Sequence, residues 1–111
     1  MIYMDNSAMV KPTERVIDAV NSVMREYWYN PSSAYKYGKE VKGDIEWARR
    51  NVANVIGADP AEIHFTSGAT EANNLAIKGY AYANRGRGNH LLTTATEHPS
   101  VLNAMKSLEE D

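Results

Sequence analysis

An α/β fold built on a parallel sheet is the class this 111-residue sequence predicts, and three observations predict it. The second half alternates short β-prone runs with helix-period runs, in the order strand, helix, strand, helix. The first β-prone run passes directly into a glycine-containing turn that opens a helix. Apolar residues make up 43% of the chain, a globular level rather than a disordered one.

The elements follow in order. Residues 1–12 are irregular and end at Lys11-Pro12-Thr13, a helix-opening signal because proline suits a first turn. Val16, Ile17, Val20, Met24 and Tyr27 then recur at helical spacing, predicting a first helix over about residues 13–27. Asn30-Pro31-Ser32-Ser33 breaks it, since proline disfavours helix in the residue before it. Val41, Ile45, Ala48, Val52, Val55 and Ile56 carry the clearest helical period in the chain, and Gly57 is placed to close that helix in a left-handed conformation. Asp59-Pro60-Ala61-Glu62 reads as a capping box around one turn. Residues 63–66 (Ile-His-Phe-Thr) read as a buried strand, and Ser67-Gly68-Ala69-Thr70 as the turn into a third helix. That helix has Ala72, Leu75, Ala76, Gly79, Tyr80 and Ala83 on one face. A turn at residues 85–89 leads to a second strand at 90–94, and Pro99 opens a last helix with Val101, Leu102, Met105 and Leu108 on its apolar face. Two parallel strands make a poor sheet, because parallel sheets are wide and covered on both faces. The fold therefore reads as unfinished.

Composition excludes several function classes. Net charge is −2, with 12 basic and 14 acidic residues spread along the chain, so no basic field for nucleic acid exists; Lys36, Lys39 and Lys42 read as a solvated helix face. The apolar runs are too short to span a bilayer, and Asp5 stands where a signal peptide would be basic and then apolar. The expected compartment is the cytoplasm. With no cysteine there is neither a disulfide nor a thiol nucleophile in these residues, and His64, His90 and His98 are too dispersed for a metal site.

Two places can carry chemistry. A helix amino terminus offers unpaired backbone N–H groups and partial positive charge to an anion. Gly68 permits close backbone approach there, and the Thr70 hydroxyl can donate to a phosphate oxygen. The same grammar also describes an ordinary capped helix start. Neither GxxxxGK[ST] nor GxGxxG follows Thr66, so the phosphate of a smaller cofactor is expected rather than a nucleotide. The second place is Thr96-Glu97-His98-Pro99, at the carboxyl end of the second predicted strand. An imidazole there can stack on a flat ring or handle protons near neutral pH; it can equally be a plain loop histidine near a helix start.

Read together, the runs IHFTSGATEANNLAIKG and TTATEHPSVLNAMKSLE resemble the pyridoxal-phosphate-dependent cysteine desulfurases of the NifS/IscS type, in the class V aminotransferase group. YMDNSA, NPSSAYKYG and ARRNVANVIGADPAEI agree with that resemblance. It covers essentially the whole chain but only the front portion of the family's length. It implies the front part of a fold type I transferase large domain, with residues 1–12 as an amino-terminal strap and 13–111 as a partial cofactor-binding α/β domain. It implies that Ala69 and Thr70 hold the phosphate of pyridoxal 5′-phosphate, and that His98 stacks on the pyridine ring and assists proton transfer. Asn73 and Asn74 would stay near the site in a structural role, since asparagine in a first helical turn often bonds neighbouring backbone.

The family's Schiff-base lysine follows a histidine, and here His64, His90 and His98 are followed by Phe65, Leu91 and Pro99. Lys78 reads as solvated. The family's nucleophilic cysteine, its aspartate at the pyridine nitrogen and its substrate-carboxylate arginine also lie beyond these residues. The resemblance thus implies a homodimer that takes sulfur from L-cysteine through a cysteine thiolate, leaves L-alanine, and passes sulfur to acceptor or scaffold proteins for iron–sulfur cluster assembly. These 111 residues read as a fragment of such an enzyme, inactive alone. Ala8-Met9-Val10-Lys11-Pro12 and Tyr35 depart from the family at segments bordering its active site, which makes substrate identity less secure than cofactor identity. A selenocysteine lyase or other class V enzyme, and a truncated non-catalytic oligomerising module, are the alternative readings.

Overall fold

The computed structural model describes residues 2–110. Among the described residues there are four helices, α1 (Glu14–Glu26), α2 (Lys36–Ile56), α3 (Ala69–Ala83) and α4 (Pro99–Glu109), with a 3₁₀ turn at Pro60–Glu62 between α2 and α3. They fall into two units, one ending at Ile63 and one beginning at His64.

In the first unit, α1 starts after Thr13 and stops at Glu26, within a residue of the predicted span. Its apolar stripe is real, but none of its residues is buried, and among the described residues it packs against no other element. The chain then turns at Asn30, whose side-chain oxygen accepts from the Ser32 N–H at 2.8 Å, while its carbonyl accepts from the Ser33 N–H at 3.1 Å. This is the side-chain-assisted turn that asparagine favours. α2 follows and buries Gly38, Val41 and Ala53. Lys36, Lys39 and Lys42 are exposed as expected, and Lys36 pairs with Glu40 at 3.7 Å.

Gly57 ends α2 at φ 70°, ψ 30°, the left-handed closure anticipated from sequence. The capping box is also formed: Asp59 Oδ1 accepts from the Ala61 N–H at 2.8 Å, and Glu62 Oε2 accepts from the Asp59 N–H at 2.7 Å. This turn packs back on α2. Arg49 holds the exit in place, with Nε donating to Glu46 at 3.2 Å and its guanidinium donating to the Ile63 carbonyl.

The second unit is α3 and α4 packed on each other. Asn73 in the first turns of α3 meets Ser100 in the first turn of α4, and Tyr80 and Asn84 share a cleft with Leu108 and Glu109 at the other ends. The two helices therefore run parallel, amino ends together. Ala104, 1% exposed, sits at their contact, where its small side chain lets the helices close up.

The two predicted strands are not formed. Residues 63–66 and 90–94 carry no strand, and none exists among the described residues. The reason is physical. A strand exists through its ladder to a neighbour, and a parallel pair needs further strands and helices over both faces. Ile63 does hold extended angles (φ −92°, ψ 120°), so the local preference is present without its partner. Phe65 and Leu92 are 53% and 85% exposed, the state of side chains whose sheet environment is lacking.

Burial is correspondingly thin. Among the described residues the buried apolar ones are Val41, Ala53 and Ala104, and the accessible surface is 9594 Å². Two separate folded units of half this mass would expose only about 7,400 Å² in total.

Candidate functional site

The site residues read from sequence lie in the second unit, at the amino ends of α3 and α4. The turn before α3 is held by its own side chains. Thr66 Oγ1 donates to the Gly68 carbonyl at 3.2 Å. Glu71 reaches back, and its Oε2 accepts from the Ser67 N–H at 2.7 Å and from the Ser67 hydroxyl at 2.6 Å. Gly68 is the N-cap and has no side chain to offer. The first backbone bond of the helix runs from the Ala72 N–H to the Gly68 carbonyl at 3.1 Å, so the amides of Ala69, Thr70 and Glu71 have no carbonyl four residues back. A Cβ on Gly68 would meet nothing within 4 Å, and Gly68, Ala69, Thr70 and Glu71 are all exposed. Thr70 lies exposed in the first turn beside them. This is a donor set that fits a phosphate ester.

Glu71 is an anion at that same helix start, favourably placed for the helix dipole. The bonds from the Ser67 hydroxyl and then the Ser67 N–H hold its carboxyl below its ordinary value of 4.5. A depressed folded-state pKa contributes stability that is present above the unfolded value and lost as pH falls through the folded one. The Ser67 clasp is therefore expected to persist at pH 5 and to open only below pH 4.5. In an amide NMR titration, the Ser67 signal should move with a midpoint below 4.5 in the native sequence and show no such step in Glu71→Gln. A midpoint above 4.5 would count against the clasp.

His98 is the N-cap of α4, with Pro99 at the first helical position. Its Nδ1 accepts from the Ser100 N–H at 3.1 Å and lies 2.9 Å from the Ser100 hydroxyl. The turn before it is pinned by Thr94, whose hydroxyl donates to Glu97 at 2.9 Å. Asn74 bonds the Thr70 carbonyl at 2.9 Å, the backbone role expected of it. Asn73 does something else: its Nδ2 crosses to the Ser100 hydroxyl at 2.8 Å and joins the two helix starts. Ser100 was not legible as a site residue, because the contact spans 27 residues and depends on helix pairing. Its only sequence signal is its place in the first turn behind His98-Pro99.

Other candidates fall elsewhere. Lys78 is partly covered in the middle of α3. His90 lines an open cleft with Tyr80, Arg87 and Leu108 at the carboxyl ends of the helices, the far end from His98. Tyr35, which stands where the family commonly has histidine, belongs to the first unit and turns its ring edge-on to Tyr29 at 6.5 Å.

Comparison with known proteins places this arrangement. Residues 2–111 match the family described as Aminotransferase class-V, and the chain belongs to that family. It is 50% identical to the cysteine desulfurase of Homo sapiens, over 99% of this chain and 24% of that protein. It is 46% identical to the cysteine desulfurase IscS of Methanosarcina thermophila, over 97% of this chain and 27% of that protein. Among solved structures, a NifS-like protein superposes with a TM-score of 0.89 at 39% identity, covering 98% of this chain and 30% of the other. A structure of SspA in complex with cysteine gives 0.85 at 37% identity, covering 97% and 31%. The chain spans about a quarter of the length of the curated relatives it matches. Among the described residues, no helix is long and apolar enough to cross a membrane.

Proposed function

We propose that these residues form the phosphate- and ring-binding front of a pyridoxal-phosphate-dependent cysteine desulfurase acting on L-cysteine. The observation that carries this reading is the side-by-side placement of the open α3 amino end, with Ala69 and Thr70, and of His98 at the start of α4. The first-turn amides and the Thr70 hydroxyl donate to the phosphate. Gly68 leaves the approach clear. His98 offers its ring face to the pyridine and holds a proton at the edge of the site. Bound there, the cofactor supplies an electron sink for the bonds of the amino-acid substrate. Residues 1–12 serve as the strap, and residues 13–111 as part of the cofactor domain. The similarity to a protein solved with cysteine and to proteins named cysteine desulfurase supports L-cysteine over other amino-acid substrates. The exposed apolar faces of α1 and α3 support a homodimeric complete enzyme.

The test uses pyridoxine 5′-phosphate, which carries the phosphate and ring but no aldehyde to react with stray lysines. Titrated into the chain and followed by ligand fluorescence, it is expected to bind weakly. Thr70→Ala removes one hydrogen bond to a charged group, about 1.5–3 kcal/mol, and should weaken binding about tenfold or more. His98→Ala should weaken it severalfold through lost stacking, about 0.5–1.5 kcal/mol. Pyridoxine without its phosphate should not bind. Equal binding with and without the phosphate, unaffected by Thr70→Ala, would sink the reading.

A further inference from the structure

We propose that Asn73 and Ser100 form a positioning relay that reinforces the Nε2–H tautomer of His98 and ties its ring to α3, with the Asn73 amide setting the polarity of the side-chain bonds. This rests on the reading of His98 as the residue facing the cofactor ring, and it deepens that reading.

The direction of each bond follows from what each group can do. A backbone N–H only donates, and that of Ser100 points at His98 Nδ1 at 3.1 Å. Nδ1 must therefore present a lone pair, and in the neutral ring the proton sits on Nε2. The Ser100 hydroxyl is 2.9 Å from the same nitrogen, so it too donates. The hydroxyl's acceptor side is then filled by Asn73 Nδ2 at 2.8 Å, an NH₂ group that cannot accept. Two donors act in series toward Nδ1, and the Ser100 N–H reaches it alongside. Ser100 is only 7% exposed, so solvent does not readily substitute for either partner.

A plain N-cap explains only part of this. Capping requires the bond from the Ser100 N–H to Nδ1 and nothing more. It does not require a buried hydroxyl aimed at the same nitrogen, nor an amide from another helix behind that hydroxyl. What the extra members add is control of the ring. Nε2–H is kept as a donor on the edge of the imidazole that faces away from α4, and His98 is tied to α3, the helix that carries Thr70. One hydrogen bond between helices thus sets the phosphate side of the site against the ring side.

Asn73→Asp reverses the polarity with little change in shape. A carboxylate only accepts, so it takes the Ser100 hydroxyl proton, and the hydroxyl turns a lone pair toward Nδ1. Nδ1 is then favoured as a donor. Ser100→Ala deletes the hydroxyl but keeps the backbone cap, and Ser100→Thr retains both. The readout is the pair of imidazole ¹⁵N shifts of His98 across a pH titration, recorded without any ligand. The native sequence and Ser100→Thr are expected to show the Nε2–H form alone at high pH. Asn73→Asp should populate Nδ1–H in the neutral ring, at the expense of the bond from the Ser100 N–H. A new charge acting at a distance would leave the tautomer unchanged. Ser100→Ala keeps the backbone donor, so Nε2–H should stay the major neutral form, joined by a detectable share of Nδ1–H that the native sequence lacks.

An Nδ1–H ring in the native sequence would overturn the relay, as would Asn73→Asp with native helicity and an unchanged tautomer. If Asn73→Asp loses helicity, Ser100→Ala decides, and an unchanged tautomer there overturns it. The functional reading fails separately. If His98→Ala binds pyridoxine 5′-phosphate as the native chain does while the tautomer responds as expected, the relay stands and the stacking role of His98 falls.

Discussion

Mixed with pyridoxal phosphate and L-cysteine, the 111 residues alone are expected to release alanine no faster than the free cofactor does. They carry no cysteine to accept sulfur. They also carry no lysine after a histidine, the arrangement by which the family holds its cofactor covalently. What they do carry binds and orients, through Thr70, the α3 amides and His98. Binding groups without the reacting groups leave little catalysis, since removing a nucleophile together with its partners costs about 10⁶-fold in turnover in a well-studied hydrolase. Alanine would be measured by chromatography against a cofactor-only control, with a full-length cysteine desulfurase as the positive arm. Alanine release well above that control, and abolished by Thr70→Ala, would show that the short chain is itself an enzyme.

What could be read from sequence divides along a physical line between local and non-local causes. Helix boundaries depend on neighbours in the chain, and they were legible. Thr13 opens α1, Gly57 closes α2 with a positive φ, and Asp59 with Glu62 forms its box within four residues. Strands depend on partners, so residues 63–66 and 90–94 carry β preference but no ladder. Burial was misjudged for the same reason. Residues 63–66 read as a buried strand, yet Phe65 is 53% exposed, and on the apolar faces of α1 and α3 Val16, Leu75 and Tyr80 are 51%, 53% and 67% exposed. An apolar stripe states that a helix has something to bury, not that a partner is within reach. At the site, Thr70 and His98 stood out because they sit at helix starts, where backbone chemistry is fixed by position, while Ala69 came only with the family resemblance. Asn73 and Ser100 did not, because their contact exists only once α3 and α4 are packed in register.

The last large effect is expected at Gly38, and a second glycine in the same helix provides the contrast. Gly38 is buried in the first turn of α2, and a Cβ there would lie 2.6 Å from the Ser33 carbonyl oxygen, 2.7 Å from that of Asn30 and 2.9 Å from the Ser33 Cβ. The two nearest are backbone oxygens and the third is a Cβ bonded directly to the backbone, so none can swing aside. The turn that carries them is fixed by the Asn30 bonds to Ser32 and Ser33. Tyr29, just before the turn, stacks on Trp28 at 4.4 Å and on Tyr37 at 4.7 Å, so the incoming end of the turn is tied to the start of α2. Gly38→Ala must therefore push the turn off the helix, at a cost of about 1–3 kcal/mol or more. Gly43 lies five residues on, exposed, with nothing within 4 Å of its would-be Cβ. There the same substitution only removes backbone freedom from the unfolded chain and should stabilise by about 0.5–1 kcal/mol. Helical circular dichroism followed through a thermal ramp should thus move in opposite directions for the two variants, with the Tyr29–Tyr37 stacking disturbed in Gly38→Ala alone. If both alanines raised the midpoint alike, the close approach of the Asn30–Ser33 turn to α2 would be wrong. The segment NPSSAYKYG would then owe its glycine to something other than this contact.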